Sequence, residues 1–198
     1  MNFVGHAVVA GLELDHGAFA FGAMLPDLSR FAGRHAFDPA ADARLVAAGV
    51  DSHHRVDAAF HDHSAFRRWT AAVVAAMPVP DRGARAAAHV AVELAIDGIL
   101  LRGDRSGAYD EALQWAAGAV DGGPWQEVVD RMADGGIVAA YASAAGIADR
   151  VVSVMERRPR LRRLGVDRAD LAGAVAEVLP DIEPAVGDLV VELSRRSG

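Results

Sequence analysis

Residues 84–101 have the sequence ARAAAHVAVELAIDGILL, in which small and branched apolar side chains occupy nearly every side of a helix. A helix that is apolar all round belongs in a protein core. His89, Glu93 and Asp97 nevertheless recur four residues apart and form one polar stripe. Burying carboxylates without partners costs several kcal/mol each, and a cation facing the stripe removes that penalty. The alternative is a surface helix whose stripe meets water or arginines.

A second stripe lies in GVDSHHRVDAAFHDH, residues 49–63. His53, Asp57 and His61 are spaced by four residues on one helix face. His54 is nearly as well aligned with the later two, so spacing alone does not choose between the adjacent histidines. Imidazole and carboxylate ligands without thiolate suit zinc, manganese or iron better than calcium. The alternative is a polar helix that happens to be rich in histidine.

The composition favours helices throughout the chain. Alanine and valine are abundant and only 6% of the 198 residues are aromatic, which suits close-packed helices better than a β-sandwich. Asp81 is expected to cap the central helix, while Pro26 and Pro180 are expected to end theirs. Helices are predicted near residues 2–12, 17–25, 40–62, 64–77, 81–101, 106–119, 124–134, 136–156, 167–178 and 181–195. We therefore expect an all-α helical bundle with one domain over residues 1–198.

Charge and cysteine content exclude several function classes. The formal net charge of −7 argues against broad nucleic-acid binding, which normally needs a basic face. The absence of cysteine excludes disulfides, thiolate metal sites and a cysteine nucleophile. The N-terminal stretch MNFVGHAVVAGLELD has no signal-peptide pattern, and no apolar run approaches the roughly 20 residues of a membrane helix. The expectation is a cytoplasmic protein without a membrane span.

The distribution of histidine predicts one site built by the first half of the chain. All eight histidines lie there: His6, His16, His35, His53, His54, His61, His63 and His89. His6 stands in an apolar segment, and its alternative to a ligand role is a neutral, hydrogen-bonded core histidine. Asp27 follows Pro26, and its alternative is a helix cap. Helical bundles assemble metal sites from inward side chains on several helices. We predict a mono- or dinuclear centre with the ligands His6, Asp27, His53, Asp57, His61, His89, Glu93 and Asp97.

Five short stretches occur in order over most of the chain. They are Met1-Asn2-Phe3-x-x-His6, GAMLPDLSR (22–30), GVDSHHRVD (49–57), ELAIDGIL (93–100) and ERRPRLRRL (156–164). Together they resemble bacterial acyl carrier protein phosphodiesterases, which are regarded as distant relatives of HD-type metal-dependent phosphohydrolases. The resemblance implies an HD-like metal-binding core and manganese-type cleavage of the phosphodiester between 4′-phosphopantetheine and a carrier-protein serine. Carried over by position, it favours His53 over His54 and implies the ligands His6, Asp27, His53, Asp57, Glu93 and Asp97.

The chain departs from that family at three places. Phe60-His61 stands where the family has Thr-Asp, Gly98 replaces a histidine, and His89 is additional. The richer histidine set is similar to zinc-dependent phospholipase C proteins, which are also helical. The expected cofactor is therefore one or two divalent ions of manganese, zinc or iron. The alternatives to a phosphodiester hydrolase are a zinc phospholipase C-like enzyme, a non-haem di-iron oxygenase on an HD-like scaffold, and a binding module with a structural metal.

Catalytic roles follow for a few residues. The metal would lower the pKa of a bound water and neutralise phosphoryl charge. Asp57 or Asp97 is the candidate bridging carboxylate that orients this water. Arg55 is the candidate for holding a substrate phosphate, with Arg67 and Arg68 as alternatives, although arginines on a helix are often only solvated. The run RRPRLRR (157–163) would dock an acidic acyl carrier protein or a phosphate, and its alternative is a solvated helix end.

Overall fold

The computed structural model describes residues 1–39, 41–78, 83–135, 138–157 and 165–197, and the regular structure within these ranges is entirely helical. The all-α prediction is thereby confirmed. None of the helices in the described ranges combines the length and hydropathy that a membrane crossing requires. The helices are α1 (Phe3–Glu13), α2 (Gly17–Leu28), α3 (Ala43–Asp62), α4 (Ser64–Ala76), α5 (Ala84–Arg102), α6 (Gly107–Ala119), α7 (Gly123–Ala133), α8 (Ala144–Glu156), α9 (Arg168–Ile182) and α10 (Val186–Ser197), with short 3₁₀ helices at Ala139–Ala142 and Glu183–Ala185.

Two apolar helices, α1 and α5, form the centre of the bundle. Every residue of α1 from Phe3 to Ala10 is buried, and the helix packs against α2, α3, α5, α6 and α10. Helix α5 packs against α1, α4, α8 and α9. A helix that is apolar on all sides needs neighbours on all sides, which explains these positions. The polar side chains of α1 and α5 are therefore carried into the interior.

Glycines allow α2 and α3 to pack with their backbones in contact. A Cβ atom on Gly49 would stand 2.1 Å from the carbonyl oxygen of Phe19, and one on Gly22 would stand 2.3 Å from that of Val46. No other residue fits at so close an approach. This crossing determines where the later turns of α2 and α3 lie relative to each other, and those turns carry Asp27 and His53.

Two predicted helix ends and one predicted continuous helix are wrong. Helix α2 continues through Pro26, and α9 continues through Pro180. A proline in the last turns of a helix removes a single backbone donor, and the N–H of Ser29 beyond Pro26 still donates to the carbonyl of Leu25 at 2.8 Å. The predicted helix 136–156 is divided before α8 at Ser143, whose hydroxyl accepts from the N–H of Gly146 at 3.1 Å. The predicted cap Asp81 lies outside the described residues.

Candidate metal centre

The predicted ligands on α3 serve two separate groups of side chains. His53 and His61 are eight residues apart, which is about 12 Å along a helix, so one ion cannot bind both. Six predicted ligands line one cavity of about 780 Å³, and these are Asp27, His53, Asp57, His61, His89 and Glu93. Two groups offer ligand atoms within 4.8 Å of one another: an inner group of His6, Asp27 and His53, and an outer group of His61, His89 and Glu93.

The inner group contains buried polar atoms that lack hydrogen-bond partners. Among the described residues, both ring nitrogens of His6 and the Oδ2 atom of Asp27 lack a hydrogen-bond partner. The His53 ring lies 3.9 Å from that of His6, and its Nδ1–H donates to the carbonyl of Ala23 at 2.8 Å. That bond leaves Nε2 of His53 with its lone pair available. Unpartnered buried polar atoms are unfavourable, and a cation among these three side chains would satisfy them.

Burial keeps the two imidazoles of the inner group uncharged. It lowers the pKa of His6 to about 3 and also lowers the pKa of His53, so both imidazoles are neutral, which is the form that binds metal ions. Burial also raises the pKa of Asp27 to about 6, an effect that the nearby Arg30 only partly offsets. The donor set is therefore two neutral imidazoles and one carboxylate that ionises near neutral pH. This set fits zinc, manganese or iron.

The outer group has the dimensions of a tetrahedral metal site. Nε2 of His61 lies 3.2 Å from Nε2 of His89 and 3.2 Å from Oε1 of Glu93. Nε2 of His89 and Oε1 of Glu93 complete this triangle at 3.3 Å from each other. Ligand atoms about 2.0–2.1 Å from a tetrahedral ion stand about 3.3 Å from one another. The side chains are 32%, 40% and 16% exposed, in the order His61, His89, Glu93, and all line the cavity. The group is thus open to the cavity.

Glu93 is held as a carboxylate. Burial alone would raise its pKa, but the amino group of Met1 and the hydrogen-bonding contact with His89 outweigh burial and lower it. The amino nitrogen of Met1 lies 3.6 Å from Oε1 of Glu93. His61 is neutral at neutral pH because burial lowers its pKa. The outer group therefore offers two imidazoles and one carboxylate, the ligand set of several catalytic zinc sites.

Asp57 lies between the two groups. Its Oδ1 atom is 3.8 Å from Nε2 of His6 and 3.6 Å from Nδ1 of His61. Burial works to raise its pKa, but the hydrogen-bonding contact with His6 and the amino group of Met1 outweigh burial and lower it to about 2. Asp57 is therefore ionised at neutral pH. A carboxylate in this position can bridge two ions, or can orient His61 through Nδ1 while Nε2 faces the outer group.

Asp97 is not brought into either group. It follows His89 by eight residues, about 12 Å along α5, and lies against the start of α1 instead. Its two oxygens accept hydrogen bonds from the N–H groups of Gly5 at 2.9 Å and Val4 at 3.2 Å. Burial raises its pKa to about 8. Asp97 thus caps the helix that carries His6.

Packing explains why glycine stands at position 98, where the family that the sequence resembles has a histidine. A Cβ atom at this position would stand 2.1 Å from the carbonyl oxygen of Tyr141. Any larger side chain would therefore push away the 3₁₀ helix Ala139–Ala142, which packs on α5. Tyr141 itself lines the cavity, so glycine here helps to close one wall of it.

The arginines expected to hold a phosphate do not line the cavity. Arg55 lies 4.0 Å from a carboxylate oxygen of Glu13, Arg67 pairs with Asp62, and Arg68 lies over Trp69. The cavity instead contains the side chains of Arg30, Arg150 and Arg157. The three-residue spacing between Asp27 and Arg30 was a signal for the first of these, because it places both on one helix face. Arg150 carried no signal in the sequence, and residues 158–163 of the basic run lie outside the described residues.

The remaining histidines have other roles or positions. His54 is exposed, whereas its neighbour His53 is buried in the inner group, so the structure distinguishes the two. His16 accepts from the N–H of Ala18 at 3.1 Å and caps α2. His63 accepts from a backbone N–H at 3.2 Å and caps α4 in the same way. These contacts place His16 and His63 at helix starts and outside both groups.

Comparison of the chain with protein-family models, with curated proteins and with solved structures finds no match in any of the three. The class of the protein is therefore defined by its fold and its site. It is an all-helical protein with two adjoining groups of histidine and carboxylate side chains that can hold metal ions. The HD-like core and the carrier-protein phosphodiesterase family stay predictions.

Proposed function

We propose that the protein is a metal-dependent phosphodiester hydrolase with one divalent ion in each group. The observation that carries the proposal is the outer group, a triangle of ligand atoms of tetrahedral size that opens into the cavity containing Arg30. A structural metal site is closed by protein ligands, whereas a catalytic site keeps a position open. Cationic side chains at the same cavity favour an anionic substrate.

Each side chain has a role in this scheme. Metal ions bound there would lower the pKa of water and neutralise phosphoryl oxygens. The guanidinium of Arg30 lies 3.4 Å from Oδ1 of Asp27 and is the candidate donor to an oxygen of the scissile phosphate. Asp57 stands between the groups as an ionised carboxylate that can orient the attacking water. Asp97 maintains the first turn of α1 and thereby the position of His6.

The proposed substrate follows from the family resemblance. A cavity of about 780 Å³ lies within the usual range of small-molecule sites, roughly 300–1,000 Å³, and can accept a phosphopantetheine arm. Holo acyl carrier protein, cleaved in the cytoplasm, is therefore the first substrate to test. A phospholipid headgroup diester is the second, because the donor set of the outer group is that of catalytic zinc sites.

The test combines metal analysis with hydrolysis. Protein loaded with zinc, manganese or iron should contain two equivalents of metal and should cleave bis(4-nitrophenyl) phosphate and holo acyl carrier protein. In Glu93→Gln, loss of a ligand should cost more than the roughly 10- to 100-fold in affinity or activity that loss of an outer hydrogen-bond partner costs. Glu192→Gln is the matched control, since that glutamate contacts His63 on the surface, with 3.3 Å between Oε2 and Nε2.

Two results would contradict the proposal. The first is a protein that binds no metal or that cleaves no phosphodiester with any of the three metals. The second is oxygen consumption by the iron-loaded protein without hydrolysis, which would favour the di-iron oxygenase, since the same ligands accommodate iron.

A further inference from the structure

Two arginines, one within α8 and one directly after its last residue, have no part in the chemistry proposed above. Arg150 and Arg157 both line the cavity that contains the outer group. Among the ion pairs of the described ranges, none joins a carboxylate to either guanidinium. Arg30, by contrast, pairs with Asp27. The cavity wall at α8 and its C-terminal end therefore carries two positive charges that no carboxylate of the described residues neutralises.

Contacts with neighbouring side chains hold these arginines at the cavity. The guanidinium carbon of Arg150 lies 6.0 Å from the centre of the Phe31 ring, and that of Arg30 lies 5.7 Å from the same ring. These contacts are within the range of cation–π attraction. Arg157 donates to the hydroxyl of Ser153 at 3.1 Å. It follows Arg150 by seven residues and has right-handed helical backbone angles at the C-cap of α8, so the two lie on the same side of this helix.

The charge of the site indicates what this wall binds. The carboxylates of Asp27, Asp57 and Glu93 face the metal groups, and a phosphodiester adds only one negative charge. A phosphate monoester carries close to two negative charges at neutral pH and presents three acceptor oxygens. Arginine recognises such groups through paired N–H donors. Two guanidiniums without carboxylate partners match one such dianion.

We propose that Arg150 and Arg157 bind a second phosphate group of the substrate. Phosphodiesters with a phosphate monoester on one arm are then preferred over diesters without one, such as holo acyl carrier protein. They are cleaved at the metal groups while the monoester rests against Arg150 and Arg157. This assignment rests on the proposed hydrolase function for the cleavage step. The anion site on α8 is defined by its own residues.

A pair of synthetic substrates tests the assignment. One is a 4-nitrophenyl alkyl phosphodiester whose alkyl arm ends in a phosphate monoester, and the other has a hydroxyl at that end. The metal-loaded protein should prefer the phosphorylated diester about 10- to 100-fold in kcat/KM, the range expected for charge-assisted hydrogen bonds. Arg150→Gln and Arg157→Gln should each reduce this ratio about tenfold. Arg131→Gln, on the exposed side of α7, is the control and should not change the ratio.

The outcomes separate the two proposals. Equal kcat/KM for both diesters in the unmutated protein, or a ratio that survives in Arg150→Gln/Arg157→Gln, would overturn the anion site. If neither diester is cleaved, the hydrolase proposal fails, and calorimetry with the phosphorylated diester decides the anion site. The anion site is supported if the phosphorylated diester binds more tightly than the hydroxyl diester and this difference is lost in the double variant. Equal binding of the two diesters overturns the anion site. Thermal melting confirms that the double variant is folded.

Discussion

Substitution of Gly49 by alanine should separate α2 from α3 and disturb the inner group. The new Cβ would stand 2.1 Å from the carbonyl oxygen of Phe19 and 2.9 Å from the backbone nitrogen of Ala23. Atoms pack at about 3.5 Å, so the two backbones must move apart by about 1.4 Å at this contact. The carbonyl of Ala23 accepts the hydrogen bond that orients His53, so this movement reaches a predicted ligand directly.

The cost can be worked out from packing. Overfilling a well-packed core typically costs about 1–3 kcal/mol, and the obstacle at Gly49 is backbone, which cannot rotate away, so we expect about 3 kcal/mol. Alanine regains about 1 kcal/mol over glycine within a helix. The net loss of about 2 kcal/mol corresponds to a melting temperature lower by about 4–8 °C in a chain of this size. Loss of the hydrogen bond to His53 should also weaken inner-site metal binding about 10- to 100-fold.

The assay compares thermal melting and metal titration in two glycine variants. Gly173 lies on the exposed surface of α9, and a Cβ there meets no atom within 4 Å. Gly173→Ala should therefore stabilise the protein by about 0.5–1 kcal/mol and leave metal binding unchanged. In Gly49→Ala the outer ion should bind as before, because His61 lies three turns further along α3 and its partners are on α5. A melting temperature that does not fall, or an equal loss of both ions, would refute this reasoning.

Three further predictions concern the site. His53→Gln should lose one equivalent of metal in elemental analysis while the exposed neighbour variant His54→Gln retains two, and equal contents would contradict the inner group. The contribution of Asp97 to the free energy of unfolding of the metal-free protein should fall as the pH rises from about 4 to about 8. Burial raises the pKa of Asp97 from 3.8 to about 8 in the folded state, so the folded state holds this proton more tightly than the unfolded chain does. The difference in unfolding free energy between the unmutated protein and Asp97→Asn, measured by denaturant titration, should therefore change in this direction across the range, and a difference that does not depend on pH would count against this burial. Metal present at 100 times its Kd contributes about 2.7 kcal/mol to the free energy of unfolding. Its removal by a chelator should therefore lower the melting temperature by about 5–10 °C. An unaltered melting temperature would show that no ion is bound.

Helices and their polar stripes were predictable from the sequence because both depend on neighbours within one segment. The four-residue spacing on α3 and α5 placed His53, Asp57 and His61 on one face and His89 and Glu93 on another. Helix ends at prolines were less predictable. Whether a proline ends a helix depends on whether the next backbone donors find acceptors, and this is decided by the surrounding turns.

The assembly of the site was decided by tertiary structure. Spacing along a helix states which side chains share a face but not which of them meet side chains from another helix. Asp97 continues the stripe of His89 and Glu93, yet the crossing of α1 over α5 brings backbone N–H groups to it.

The sequence by itself determined an all-helical chain with histidine and carboxylate stripes in its first half. Only the packing divided those stripes into two groups with Asp57 between them and brought Arg150 to the same cavity. The physical reason is that local periodicity is a property of one backbone segment. Distances between segments depend on how the whole core fills its volume, down to a glycine such as Gly49.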